Sequence, residues 1–324
     1  MIGILLVNLG TPDAPTAPAL RRYLREFLSD PRVVEIPRLV WWPILNGPIL
    51  LTRPARSARA YRSIWLDEGS PLRVYSQRLA EGLQALYDAE QPGRVQVTLA
   101  MRYGQPSVAA GLRSLRDAGC REMLVVPLYP QYAAATTASI FDAVAAELRT
   151  WRNLPELHFL RDWHQNPRYI GALARSVQRQ WQEHGRPQRL LISFHGLPAR
   201  NIALGDPYRA ECEKSTELLV AALGLRDGEW VQTFQSRFGP ARWLEPYTAV
   251  TLKELGSQGV ERLDCLCPGF VTDCLETLEE VAVEGKEIFL QAGGKEMHYI
   301  PCLNDDAEWI ADFRQIIDEH LPAH

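Results

Sequence analysis

Apolar residues fall along this chain in two rhythms. Short β-rich, mostly apolar runs at residues 3–9, 96–101, 123–128, 190–194, 263–267 and 297–301 read as strands. Because the central runs do not alternate with polar residues, they predict sheets covered on both faces. Between them, apolar positions recur at helical spacing, which predicts helices over 16–27, 74–88, 107–118, 138–149, 169–183, 210–222, 247–258, 274–292 and 306–320. Strand–helix alternation of this kind specifies an α/β fold with parallel sheets.

The pattern also repeats. Val7-Asn-Leu-Gly-Thr-Pro12 aligns with Ser193-Phe-His-Gly-Leu-Pro198, each at the end of an apolar strand, and 119–127 aligns with 259–268. Two similar Rossmann-like domains are therefore predicted, 1–165 and 166–324, each a parallel sheet flanked by helices, with a ligand cleft between them. In this alignment His195 stands where the first half has Leu9. A polar ring thus ends a strand of the second half, and strand carboxyl ends are where open α/β sheets bind ligands.

Composition narrows the class. A chain of 324 residues, 46% hydrophobic and 23% charged, suits two folded domains and excludes a disordered or disulfide-stapled one. A net charge of −4 argues against nucleic acid as a partner, since phosphate binding needs a basic surface. Cysteines at 120, 212, 265, 267, 274 and 302 are too sparse for a disulfide framework and predict reduced thiols. Residues 1–9 lack a basic leader and a cleavage site, so they read as a buried strand and not as a signal peptide. The longest apolar stretch, 39–51, is too short for a bilayer span and is broken by two prolines and a glycine. A cytoplasmic protein is expected. No G-x-G-x-x-G follows the first strand, and no P-loop or G-x-S-x-G occurs, which removes nucleotide enzymes and esterases.

Asp273, Glu276, Glu280 and Glu284 are spaced by three, four and four, so an α-helix would carry them on one face, and Glu287 extends the row. Like charges so placed repel by roughly a few tenths of a kcal/mol per pair, so the row needs water, counter-charge, a cation or shared protons. A solvated acidic face is the plain reading; a proton or cation path beginning at a strand end is the functional one. His195, beside Gly196 and Pro198, offers a ring suited to proton transfer or metal contact. With carboxylates it would make a sparse site for a transient cation, unlike a structural zinc site. Cys265, Cys267 and Cys274 form C-x-C-x6-C without a C-x-x-C and read as buried strand cysteines. Arg53, Arg56, Arg59 and Arg62 follow the apolar stretch as a basic stripe beside Trp41 and Trp42. That stripe is either solvated or turned to an acidic lipid surface or a ligand's carboxylates. Arg102-Tyr103 and Trp243 supply cationic and flat aromatic groups suited to a large planar anion.

Five motifs in order resemble the ferrochelatase family in its Gram-negative bacterial form. They are Leu5-Leu-Val-Asn-Leu-Gly-Thr-Pro12, Tyr129-Pro-Gln-Tyr132, Ser193-Phe-His-Gly-Leu-Pro198, Phe234-Gln-Ser-Arg-Phe-Gly239 and Cys267-Pro-Gly-Phe270 followed by Asp273-Cys-Leu-Glu-Thr-Leu-Glu279. The resemblance spans nearly the whole chain, from Gly3 to about Asn304. It implies insertion of ferrous iron, a substrate and not a resident cofactor, into protoporphyrin IX, the final step of haem synthesis. It implies His195 and Glu276 as the catalytic and metal-contacting pair. It places an acidic relay on Asp273, Glu280 and Glu284, along a helix with a π-type stretch, and porphyrin contacts on Leu9, Arg62, Arg102, Tyr103 and Trp243.

Departures from the wider family add further expectations. The chain has Ala133-Ala134 after Tyr129-Pro-Gln-Tyr132, where a cluster cysteine is often found, and no cysteine-bearing extension before His324. No iron–sulfur cluster and no other cofactor is expected. The Gram-positive branch, which uses coproporphyrin, tends to carry tyrosine at the Leu9 position, so Leu9 and the apolar lip favour protoporphyrin. Peripheral contact with the inner face of a membrane through 39–62 is expected, and no nucleic acid. The alternatives are a coproporphyrin III or cobalt chelatase, and a non-catalytic tetrapyrrole carrier, which would need an aromatic lip but no base or carboxylate row.

Overall fold

The computed structural model describes residues 1–321 and divides the chain into two compact units, 1–162 with 314–321, and 163–313. The first unit runs β1 (Ile2–Gly10), α1 (Ala17–Leu28), α2 (Arg38–Ile44), α3 (Leu50–Ile64), α4 (Pro71–Glu90), β2 (Val95–Tyr103), α5 (Val108–Asp117), β3 (Glu122–Pro127), α6 (Ser139–Leu148) and β4 (Glu156–Phe159). Its strands are all parallel, in the order β2-β1-β3-β4. Central β1 buries both faces, as its unbroken apolar run predicts.

The second unit runs α7 (Pro167–His184), β5 (Arg189–His195), α8 (Ala199–Ala203), α9 (Tyr208–Leu223), β6 (Trp230–Gln235), α10 (Thr248–Ser257) and β7 (Arg262–Leu266). A π-helix (Glu276–Gly285), α11 (Lys286–Gln291), β8 (Glu296–Tyr299) and the start of α12 (Ala307–Asp318) follow. Its strands are again parallel, ordered β6-β5-β7-β8. With β1 matched to β5 and each later strand to its counterpart, the order is the same. The sequence repeat is a repeat of topology.

The first unit ends at Asp162, and residues 314–321, which the sequence assigns to the second half, go with the first. Arg314 donates to both carboxylate oxygens of Glu90 at 2.6 Å, and the Tyr87 hydroxyl donates to Asp318 at 2.7 Å. Strands β4 and β6 were not expected from the pattern. Both lie at sheet edges, and β6 carries Gln232, Thr233 and Gln235 among its apolar residues.

The apolar stretch 39–51 folds into α2, a π-turn (Leu45–Ile49) and the start of α3. Pro48 has no N–H to donate, and its ring opposes the carbonyl four residues back, so the helix widens and kinks at Gly47 (ψ −109°). Trp41 corrects the expected tryptophan pair: it is buried, its Nε1 donating to the Leu28 carbonyl at 2.7 Å. Leu39 (93% exposed), Val40, Trp42 and Leu51 remain outside. The arginines do not form one stripe either. An α-helix turns about 100° per residue, so residues three apart drift steadily around it. Leu50, Pro54, Ala58 and Tyr61 take the buried face, and Arg56, Arg59 and Arg62 spread over the exposed remainder.

Candidate active site

The chemistry-bearing residues of the second unit gather at the carboxyl end of β5. His195 ends that strand in register with Gln235 of β6. Its Nδ1 lies 2.7 Å from the carbonyl oxygen of Gly196. A carbonyl oxygen only accepts, so Nδ1 carries a proton, and Nε2 is the ring nitrogen not engaged in that contact. Gly196 is required by close approach: a Cβ there would lie 2.7 Å from the Gln235 carbonyl oxygen and 3.3 Å from Cε3 of Trp243. The half-buried indole of Trp243 therefore packs on the turn that carries His195. Phe270 flanks the imidazole with ring centroids 6.5 Å apart.

The acidic residues divide into three kinds. Asp273 precedes the π-helix and does not share its face. It is buried, accepting hydrogen bonds from Thr277 (2.9 Å), Tyr299 (2.6 Å) and Asn304 (2.7 Å). Its expected place on one helix face with the glutamates is thus corrected to an anchor at the helix start. Glu276 and Glu280 are half-buried. The Gln235 amide donates to the Glu276 main-chain carbonyl at 2.8 Å, and its own oxygen accepts from Ser193 at 2.7 Å. Ser236 donates to both oxygens of Glu280, through its N–H at 2.7 Å and its hydroxyl at 2.5 Å. Burial pushes the Glu280 carboxyl above the ordinary glutamate range. The Ser236 hydroxyl and the neighbouring His195 ring pull it back, while the charge of Glu276 pushes it up again. His195, Glu276 and Glu280 thus form one electrostatically linked group. Glu284 and Glu287 are exposed on the same segment.

The first unit holds the remaining candidates. Leu9 is half-buried at the end of β1. Arg102 donates from Nε to Ser139 Oγ (2.6 Å) and from a terminal nitrogen to Asp30 (2.5 Å), with its guanidinium 4.5 Å from the centroid of the Tyr103 ring. Tyr103 itself is fully buried (0% exposed), its hydroxyl donating to Asp30 at 2.7 Å. It is a core residue that orients Asp30, which corrects its expected place in a ligand-lining surface. Burial works to raise the Asp30 carboxyl, but hydrogen bonds from Ser139 and Tyr103 and the charge of Arg102 hold it below the usual aspartate range. Arg62 is exposed on α3 and donates to the Pro15 carbonyl at 3.2 Å. Asp30, Ser139, Gln235 and Ser236 were missed from the sequence. Gln235 and Ser236 lie inside a quoted motif, but nothing in residue type marks a serine that grips a glutamate 44 positions away.

Comparison with known proteins gives a consistent picture. The ferrochelatase family model matches residues 1–321. A ferrochelatase of Azoarcus sp. (strain BH72) is 60% identical over 95% of this chain and 84% of its own length. One from Aromatoleum aromaticum is 57% identical over 98% of this chain and 87% of its own. Among solved structures, SirB from Bacillus subtilis with Fe3+ superposes with a TM-score of 0.57 at 13% identity, over 98% of this chain and 95% of that one. CbiX, the terminal enzyme for siroheme biosynthesis in denitrifying bacteria, gives 0.53 at 15% identity, over 99% and 100%. The two structures establish the shared fold. Identity above one half across nearly the full length is a different order of evidence, and by it this chain belongs to the ferrochelatase family.

Proposed function

We propose that this chain inserts ferrous iron into protoporphyrin IX, giving protohaem and two protons. The observation that carries the reading is the grouping of a histidine, tied through Nδ1 to its own turn, with two half-buried glutamates, in a chain whose whole length matches this family. A porphyrin must lose two pyrrole protons as the dication enters, so the site needs a base and carboxylates that take protons onward. His195 Nε2 is the base, and Glu276 joins it in contact with the iron. Glu280 receives protons from that pair, and exposed Glu284 one turn further hands them to water. Arg102, held from two sides, and the indole of Trp243 meet the macrocycle's acids and its flat face, with Leu9 as an apolar contact and Arg62 as an outer cation. Binding the ring bent favours the state that metal entry requires, which is catalysis by differential binding.

A carrier or a cobalt chelatase is not favoured, because a carrier has no use for the His195–Glu276–Glu280 group and the relatives are named for iron. Leu9 and the apolar lip speak against the more acidic coproporphyrin. The chain is also read as working without an iron–sulfur cluster. Burial pushes the Cys267 and Cys274 thiols well above their ordinary range, and Cys267 donates to the Gln235 side chain at 3.5 Å. Under anaerobic conditions with Fe(II), the purified chain is expected to convert the free-base porphyrin spectrum to that of protohaem. A rate equal to that of the protein-free mixture would sink the reading.

No helix among the described residues is long and apolar enough to cross a membrane. Peripheral contact with an anionic bilayer is supported by the outward side chains of Leu39, Val40, Trp42 and Leu51 next to the arginines of α3. Leu39→Ser/Trp42→Ser removes about 3 kcal/mol of apolar burial, so co-sedimentation with phosphatidylglycerol-containing vesicles should weaken about 100-fold. Equal binding by variant and parent rejects the contact.

A further inference from the structure

Ser236 has the backbone conformation that its residue type least explains. Its φ is +65°, and among the described non-glycine residues only Asn304 shares a positive φ. A side chain in the left-handed region is held there only when its surroundings over-determine it, and such residues concentrate at functional sites. Around Ser236 the constraints are visible. The preceding Gln235 is fixed at the end of β6, its carbonyl accepting from Gly196 N at 2.8 Å and its amide donating to the Glu276 carbonyl at 2.8 Å. The left-handed turn then brings two donors of one residue, N–H and hydroxyl, onto the two oxygens of a single carboxylate, that of Glu280. No other residue among the described ones is shown hydrogen-bonded to that carboxylate. Adjacent residues 235 and 236 therefore hold both glutamates of the site, one by its main chain and one by its side chain.

We propose that Ser236 is a positioning residue for iron insertion, clamping Glu280 so that the free edge of its carboxylate stays turned to His195 and Glu276. The proposal rests on the reading of those three residues as the proton-handling group and adds the device that holds its outer member in place. A serine kept merely for the fold would be replaced at no loss by glycine, which suits a positive φ better. A serine kept for Glu280 would not.

The test is steady-state insertion of Fe(II) into protoporphyrin IX by Ser236→Gly, Glu280→Gln and the double variant. Ser236→Gly keeps the backbone donor and loses the hydroxyl. It is expected to lower kcat about 10- to 100-fold, the scale found for partners that orient a reacting ligand. KM should stay within about threefold and the melting temperature should not fall, because glycine relieves the backbone. In the Glu280→Gln background the serine change is expected to add nothing, since the group it holds is already lost. Full kcat in Ser236→Gly beside an impaired Glu280→Gln overturns the clamp alone, as does a double variant that loses the product of both effects. A Glu280→Gln enzyme at full rate overturns the site reading, and the clamp with it.

Discussion

His195→Ala is expected to lower the rate of iron insertion by about a thousandfold while leaving the fold intact. The size follows from the role: a positioned base contributes roughly 10²- to 10⁴-fold. Tolerance of the fold follows from the surroundings. The half-buried ring makes its one described hydrogen bond to the adjacent carbonyl of Gly196, and losing such a bond costs about 1 kcal/mol. His195→Gln sharpens the test, because its amide can still donate but offers no nitrogen base. Both variants should be equally slow under anaerobic assay, with thermal melts close to the parent. A rate above about a tenth of the parent in either one would remove His195 from the chemistry.

The central strands, the repeat and the turn at His195 were legible because each is encoded locally. Mostly apolar runs mark β1, β3, β5 and β7, and strand–Gly–x–Pro recurs at residues 9–12 and 195–198. Where sequence reasoning failed, a distant partner had decided the outcome. Strand β6 is half polar, yet Thr233 is fully buried because Thr248 donates to it at 2.9 Å. Trp41 and Trp42 are adjacent and alike, but only Trp41 has the Leu28 carbonyl within reach. The spacing of Asp273, Glu276, Glu280 and Glu284 suggested one continuous row. The first of them instead leaves the helix for Tyr299 and Asn304, and the next two are taken up by the β6 edge and His195. Glu280 shows most plainly how site chemistry arises from the fold. Its proton affinity depends on burial, Ser236, His195 and Glu276, and three of those four influences come from outside its own turn of helix.

The repeat also predicts which single methyl groups the two units cannot accept. Gly10 ends β1 opposite Tyr103 of β2, and Gly196 follows β5 opposite Gln235 of β6. At both, the neighbouring strand's carbonyl occupies the space a side chain would need, so the shared glycine reflects close approach of two parallel strands. The first approach is the tighter: a Cβ on Gly10 would sit 1.7 Å from the Tyr103 carbonyl oxygen, with φ at +111°. Gly10→Ala must strain its own backbone, at about 1–2 kcal/mol, and push β2 away, at about 1–3 kcal/mol. Near 3 kcal/mol in total, it should lower the melting temperature by roughly 10 °C. At Gly196 the approach is 2.7 Å, again to a backbone oxygen, but φ is not positive, so alanine there must move the turn away from β6 without straining its own φ. That shift falls on His195, and misplacing a reacting group by about 1 Å costs roughly 100-fold in rate. One methyl is thus expected to read out as lost stability in the first unit and as lost kcat in the second. A Gly10→Ala protein melting within about 2 °C of the parent would show that β1 and β2 do not meet as closely as their register places them.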